Sequence, residues 1–317
     1  MSNDRTTRPA DRSPWPRLAI CLAAALLGCS AAGLTDNLVD NGPVVPGATV
    51  GVPIQVAGIQ RRYVVHIPPL TSSQLSKTPH PLLLMLPGSS QVGETVLSQS
   101  GMDTLADANH FLLVYPDGVG GTNSDWNAGD CCGQAHADGV DDVAFLQAVI
   151  ADVSAQFPVD RRRIYFGGFS DGARMAYSAA CRIPNVVAAV AAVSGSLTES
   201  NCKPGRAIPV IAFHGVEDTS IPYTDASHTA PATIVKSALQ LPPTILFWLS
   251  NNGCTSVATS LFSQKGPVML TQGVHCNADV AFYTITNGSH MWPSPSRGVA
   301  VDASPLIAAF LLAHTAP

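Results

Sequence analysis

Three residue types in this 317-residue chain are spaced to do nucleophilic chemistry. The run Gly168-Phe169-Ser170-Asp171-Gly172 matches G-x-S-x-G, the pattern of a serine held on a sharp strand-to-helix turn. Two later segments supply the partners that a serine hydroxyl needs before it can attack a carbonyl, a base to take its proton and an acid to orient that base. Asp218 follows Ser170 by 48 residues in His214-Gly215-Val216-Glu217-Asp218, and His290 follows Asp218 by 72 in Asn287-Gly288-Ser289-His290. Glu217 and Asp225 compete with Asp218 for the acid, and His214 competes with His290 for the base.

The elements around these residues have to place all three at one edge of a sheet. Arg163 to Phe166 is apolar and β-branched or aromatic toward its end, so it reads as a strand running into Ser170. Ala173 to Ala180 is rich in helix formers. Pro81–Leu86 and Phe111–Tyr115 read as buried strands, and Arg62–Ile67, Val187–Val193, Ile208–Phe213 and Val280–Thr286 as further strands. Helices are expected at Glu94–Ala108, Val140–Phe157, Ile234–Asn251 and Ser304–His314. This alternation implies a doubly wound, mostly parallel sheet flanked by helices, in a single domain. The G-x-S-x-G turn and the chain order Ser, Asp, His are those of an α/β-hydrolase, the expected fold. Such an enzyme also needs two backbone donors for the oxyanion. Asp171 N–H lies at a helix start. The second donor comes from Leu86-Pro87-Gly88-Ser89 after an early strand. Pro87 has no N–H, which points to Ser89. Trp126 and Trp292 are candidates to line a substrate pocket, or else are ordinary core anchors.

Composition narrows the partners. A net charge of −5 without a basic cluster argues against nucleic acid. Arg5, Arg8, Arg12 and Arg17 precede an apolar run from Leu18 to Gly28, too short to span a bilayer and suited to a signal segment. That run ends at Cys29, in a context like a bacterial lipobox, so Cys29 is the lipidation candidate and the chain is expected to be secreted or tethered to the cell envelope. Cleavage a few residues later, near Ala31 or Ala32, is the alternative. Removing residues 1–28 takes the net charge from −5 to −7. Residues 29–54 read as a tether and 55–317 as the catalytic domain. Export makes the six remaining cysteines, Cys131, Cys132, Cys181, Cys202, Cys254 and Cys276, candidates for disulfides. Six cysteines allow about 15 pairings. Cys254 with Cys276 is the expected pair. No C-x-x-C motif suggests a zinc site.

The ordered motifs from Val56 to His314 resemble the secreted poly(3-hydroxybutyrate) depolymerase-like and feruloyl esterase family, including LpqC-type lipoprotein esterases. They include Tyr115-Pro116-Asp117-Gly118, Trp126-Asn127-Ala128-Gly129 leading to Cys131-Cys132-Gly133, the Ser170 turn, His214-Gly215 with Asp218, Asn252-Gly253-Cys254 and Gly288-Ser289-His290-Met291-Trp292-Pro293. The resemblance implies Ser170 as nucleophile, Asp218 as acid and His290 as base, acting on esters with no metal or organic cofactor. The implied substrates are feruloyl or short-acyl carbohydrate esters, with hydroxyalkanoate oligomers as the alternative. Relatives usually carry Leu-His-Gly where this chain has Leu86-Pro87-Gly88. That departure leaves room for a reading of another class, a non-catalytic lipoprotein that binds an envelope ligand.

Overall fold

Alternate residues of the apolar segment His80–Leu86 pack into opposite cores: Leu82, Leu84 and Leu86 on one side, Leu83 and Met85 on the other. A strand with both faces covered can be apolar throughout, which is why this segment has no polar alternation. The computed structural model describes residues 45–225, 241–263 and 266–317. The signal segment, Cys29 and part of the expected 234–251 helix lie outside them.

The strands are β1 (Thr49–Val56), β2 (Ile59–His66), β3 (His80–Leu86), β4 (Leu112–Pro116), β5 (Val159–Phe169), β6 (Ala189–Val193), β7 (Val210–Gly215), β8 (Ser256–Ser263), β9 (Val268–Val274) and β10 (Val280–Ile285). They form one sheet in the order β1-β2-β4-β3-β5-β6-β7-β10-β9-β8. Neighbours from β4 to β10 run parallel, and both flanks are antiparallel. The helices are α1 (Ser72–Lys77), α2 (Gly93–Ser100), α3 (Met102–Asn109), α4 (Gly133–Ala137), α5 (Asp142–Gln156), α6 (Asp171–Arg182), α7 (Pro243–Asn251) and α8 (Ala303–Leu312). Residues of α5, α6 and α7 fill one core, and residues of α2, α3 and α8 fill the other. A helix–sheet–helix sandwich with this parallel centre is the α/β-hydrolase fold.

Three differences from the sequence expectation have local causes. The expected 94–108 helix is two helices, because Gly101 adopts φ 57° and its N–H caps Leu97 O. β1 starts at Thr49, inside the stretch expected as a tether, and pairs along its length with β2. β8 and β9 form an antiparallel extension in a stretch to which the sequence reading assigned no element. Most of β8 is exposed, so it lacks the apolar run that marks a buried strand.

Candidate active site

β3, β5, β7 and β10 run parallel, so the loops that follow them gather at one edge of the sheet. The turn after β5 is tight. Ser170 sits at φ 56° and ψ −122°, a conformation costing about 1–3 kcal/mol that packing must hold in place. The packing explains the small residues on either side. A Cβ on Gly168 would overlap the Gly172 carbonyl, and one on Gly172 would overlap the carbonyls of Leu86 and Pro87. Ser170 N–H donates to Val193 O at 2.9 Å, and Ser170 O receives Ala173 N–H at 3.0 Å as α6 begins.

The loops after β7 and β10 lock together. Val216 N–H donates to Ile285 O and Glu217 N–H to Gly288 O, each at 2.9 Å. The bare α-carbon of Gly215 lies against the Gly288 carbonyl. This clasp sets Asp218 Oδ2 2.8 Å from His290 Nδ1, while His290 Nε2 lies 2.9 Å from Ser170 Oγ. The Phe169 ring packs on the imidazole with centroids 4.9 Å apart.

Asp218 is buried. Its Oδ1 accepts the N–H groups of Ser220 and Ile221, both at 2.9 Å. Burial pushes this carboxyl up, but His214, His290 and the Ile221 N–H favour the charged form more strongly, and its pKa is lowered to about 2. His214, the rival base, lies 3.4 Å from Asp218 Oδ2 and has Nε2 2.8 Å from Ile221 O. It therefore braces the acid's turn rather than approaching Ser170. Of the rival acids, Glu217 is exposed and Asp225 pairs with Arg174 at 3.1 Å.

Between Pro87 and Gln91 the backbone donors are nearly all committed. Pro87 has none. Gly88 N–H donates to Gln91 Oε1 (3.1 Å), Ser90 N–H to Ser124 O (2.8 Å) and Gln91 N–H to Gly88 O (3.2 Å). Ser89 N–H has no acceptor among the described residues, and neither has Asp171 N–H at the start of α6. A Cβ on Gly88 would stand 3.1 Å from Ser170 Cβ, so this turn adjoins the serine.

Neither tryptophan lines a pocket, which corrects the first of the two readings open to them. Trp126 is 0% exposed and donates Nε1–H to Pro87 O at 2.9 Å. Trp292 is 1% exposed and donates to Ser304 Oγ at 2.9 Å, and Ser304 in turn bonds Ser100 O. Each indole is an anchor, one behind the Pro87 turn and the other behind the His290 loop.

Sequence reasoning missed a polar cluster beside the serine. Arg174 reaches Asp171 and Asp225, each at 3.1 Å, and Ser196 Oγ at 3.3 Å. Its guanidinium also lies 3.3 Å from the sulfur of Cys131, which is disulfide-bonded to its neighbour Cys132. Burial pushes the Asp171 carboxyl up, and Arg174 opposes that shift. The i,i+3 spacing of Asp171 and Arg174 on a helix was the available signal. The other disulfides are Cys181–Cys202 and the expected Cys254–Cys276.

Known proteins are similar to this chain in sequence and in fold. A family model described as Esterase PHB depolymerase matches residues 62–236. NocK of Nocardia uniformis subsp. tsuyamanensis, named as a candidate esterase, is 32% identical over 293 residues, covering 84% of this chain and 81% of that protein. Feruloyl esterase B of Piromyces equi is 28% identical over 211 residues. That match takes in 61% of this chain but only 36% of the longer fungal protein. Among solved structures, acetyl xylan esterase from Aspergillus awamori superposes with a TM-score of 0.56 at 14% identity, covering 75% of this chain and 92% of that one, a likeness of fold. With the family model matched across more than half of its length, the chain belongs to the Esterase PHB depolymerase family and is an esterase, a carboxylic ester hydrolase.

Proposed function

We propose that the chain is a secreted serine esterase that works through an acyl-enzyme on Ser170 and favours feruloyl or short-acyl esters of carbohydrate. The observation that carries this reading is the unbroken hydrogen-bond chain from Asp218 through His290 to Ser170, set beside two uncommitted N–H groups. With Asp218 ionised, His290 holds its proton on Nδ1 and presents Nε2 as an acceptor to the Ser170 hydroxyl. Ser170 Oγ bonds to the ester carbonyl carbon as its proton passes to Nε2. The carbonyl electron pair moves to oxygen and is met by Ser89 and Asp171 N–H. Collapse breaks the bond to the alcohol, which leaves with the proton from His290. Water, deprotonated by the same imidazole, then releases the acid. No step calls on a metal or an organic cofactor.

The carbohydrate-ester preference draws on relatives named feruloyl esterase and on a bifunctional acetylxylan esterase/xylanase of Neocallimastix patriciarum. Hydroxyalkanoate oligomers are the second reading, favoured by the description of the matching family model. Three disulfides among the described residues support export to an oxidising compartment. A lipid on Cys29 would hold the enzyme at the envelope, and the mass of the mature N-terminus tests it.

The test is hydrolysis of a p-nitrophenyl ester series, methyl ferulate and a hydroxybutyrate oligomer by the wild type and Ser170→Ala. The reading expects activity on the first two classes, lost in the variant. Equal rates in the two proteins would overturn the catalytic reading in favour of a ligand-binding protein. Preference for the oligomer would replace the substrate class.

A further inference from the structure

The segment Ser124–Trp126, between β4 and α4, makes four hydrogen bonds to the turn Pro87–Gln91. Trp126 Nε1–H donates to Pro87 O at 2.9 Å. Ser90 N–H donates to Ser124 O, and Ser89 Oγ–H donates to Asp125 Oδ1, both at 2.8 Å. Ser124 Oγ–H donates to Gln91 O. Every residue of this three-residue strap therefore holds the turn that carries the Ser89 N–H. The sheet gives the turn little further support, because β3 ends at Leu86.

The strap is itself fixed from behind. Asp125 exchanges two backbone hydrogen bonds with Val119, at 3.0 and 3.1 Å. Its side chain accepts Gln134 N–H at 3.1 Å, and a Cβ on either Gly118 or Gly133 would strike Asp125. The Trp126 ring stacks 6.5 Å from Phe145, with the Arg61 guanidinium 3.8 Å from the Phe145 centroid. Arg61 pairs with buried Asp142 at 2.7 Å, and Asp142 accepts Asn127 N–H at 2.7 Å, one residue beyond the indole. A chain of buried contacts thus runs from β2 and α5 through the strap to the turn.

We propose that Ser124, Asp125 and Trp126 are positioning residues for the oxyanion site, with the Trp126 indole fixing the Pro87 carbonyl so that Ser89 N–H points at the developing charge. A donor aimed at the transition state must already be in place, because movement during reaction forfeits its advantage. Proline at position 87 makes external fixation more important. With no N–H of its own, it is tied through its carbonyl, and Trp126 supplies that tie. The inference rests on the reading of Ser170 as the nucleophile.

The experiment compares wild type, Trp126→Phe, Ser124→Ala and Ser170→Ala in ester hydrolysis and in binding an aryl trifluoromethyl ketone. In the ketone adduct Ser170 Oγ bonds to the carbonyl carbon, its proton moves to His290 and the oxygen becomes an oxyanion. Phenylalanine keeps the ring packing and removes the N–H, while Ser124→Ala removes a single hydroxyl with almost no change in volume. The expected result is a fall in kcat of about tenfold for Trp126→Phe and a smaller fall for Ser124→Ala, with KM nearly unchanged. Ketone affinity falls by the same factor as kcat/KM, a correlation that simple loosening of the fold would not produce. Unchanged ketone affinity and kcat in variants with wild-type Tm would overturn the proposal. Activity surviving in Ser170→Ala would instead overturn the nucleophile reading beneath it.

Discussion

The α-carbon of Gly172 lies against the carbonyl oxygen of Leu86, with no room for a Cβ between them. This contact joins the first turn of α6, where Asp171 N–H stands, to the end of β3, from which the turn carrying Ser89 N–H departs. Gly172→Ala is therefore expected to separate the two loops as well as strain the core. The expected cost is about 1–3 kcal/mol, as for other overpacked sites. Urea unfolding measures it, and esterase activity should fall further than the loss of folded protein accounts for. An active variant of wild-type stability would show that the elbow tolerates the displacement.

The Asp218 carboxyl titrates at about 2, below the 3.8 of an unperturbed aspartate. A depressed folded pKa means that the group adds stability while it is ionised. Its contribution is full above pH 3.8 and is lost as pH falls through about 2. Asp218→Asn should therefore flatten the acid limb of the stability curve in that window. It should also lower kcat by about 10³–10⁴-fold at neutral pH, because the amide no longer fixes the His290 tautomer. Thermal unfolding from pH 2 to pH 7, with initial rates at pH 7, checks both.

Much of this arrangement was legible in the residues, and the gaps have physical causes. The apolar strand before Ser170 and the glycines around it mark a tight buried turn, and such turns tolerate few sequences. The segments carrying Asp218 and His290 each follow an apolar strand, so their place at the sheet edge follows from the alternation of elements. The three side chains do meet, and their roles are the reading proposed above. The indoles were harder, because a tryptophan in a Gly-rich loop looks equally suited to a pocket and to a buried anchor. Only the Pro87 and Ser304 partners separate the two. Arg174 escaped notice because its second partner, Asp225, lies 51 residues away in the chain. β8 and β9 escaped because outer strands need no continuous apolar run.

Arg174 carries the positive charge shared by Asp171 and Asp225. Arg174→Met is expected to destabilise the fold by about 1–3 kcal/mol at neutral pH, less than for a fully buried pair. Burial already pushes the Asp171 carboxyl up, and losing the guanidinium pushes it further. A raised pKa penalises the ionised form, so the variant's deficit should shrink on acidification as Asp171 takes up its proton. The difference in Tm between wild type and variant, followed from pH 7 to pH 4, tests the sign. A deficit that grows on acidification would contradict it.

The Cys254–Cys276 bridge closes a separation of 22 residues that contains β8 and β9. Replacing both cysteines by serine should cost about 2–4 kcal/mol, chiefly by freeing the unfolded chain. The bridge lies at the far end of the hairpin from the loop carrying His290. Activity at low temperature should persist while the midpoint of thermal unfolding drops. Loss of activity in a protein still folded would show that the hairpin also shapes the site.

The central claim is that Ser170 carries the acyl group. The most direct measurement is the intact mass, followed by peptide mapping, of enzyme mixed rapidly with excess p-nitrophenyl acetate and quenched in acid. The account predicts a single added acetyl group on the peptide containing Ser170, absent from Ser170→Ala and persistent in His290→Ala only if acylation occurs at all. Turnover with no adduct on Ser170, or an adduct on another residue that forms and decays at the turnover rate, would contradict it.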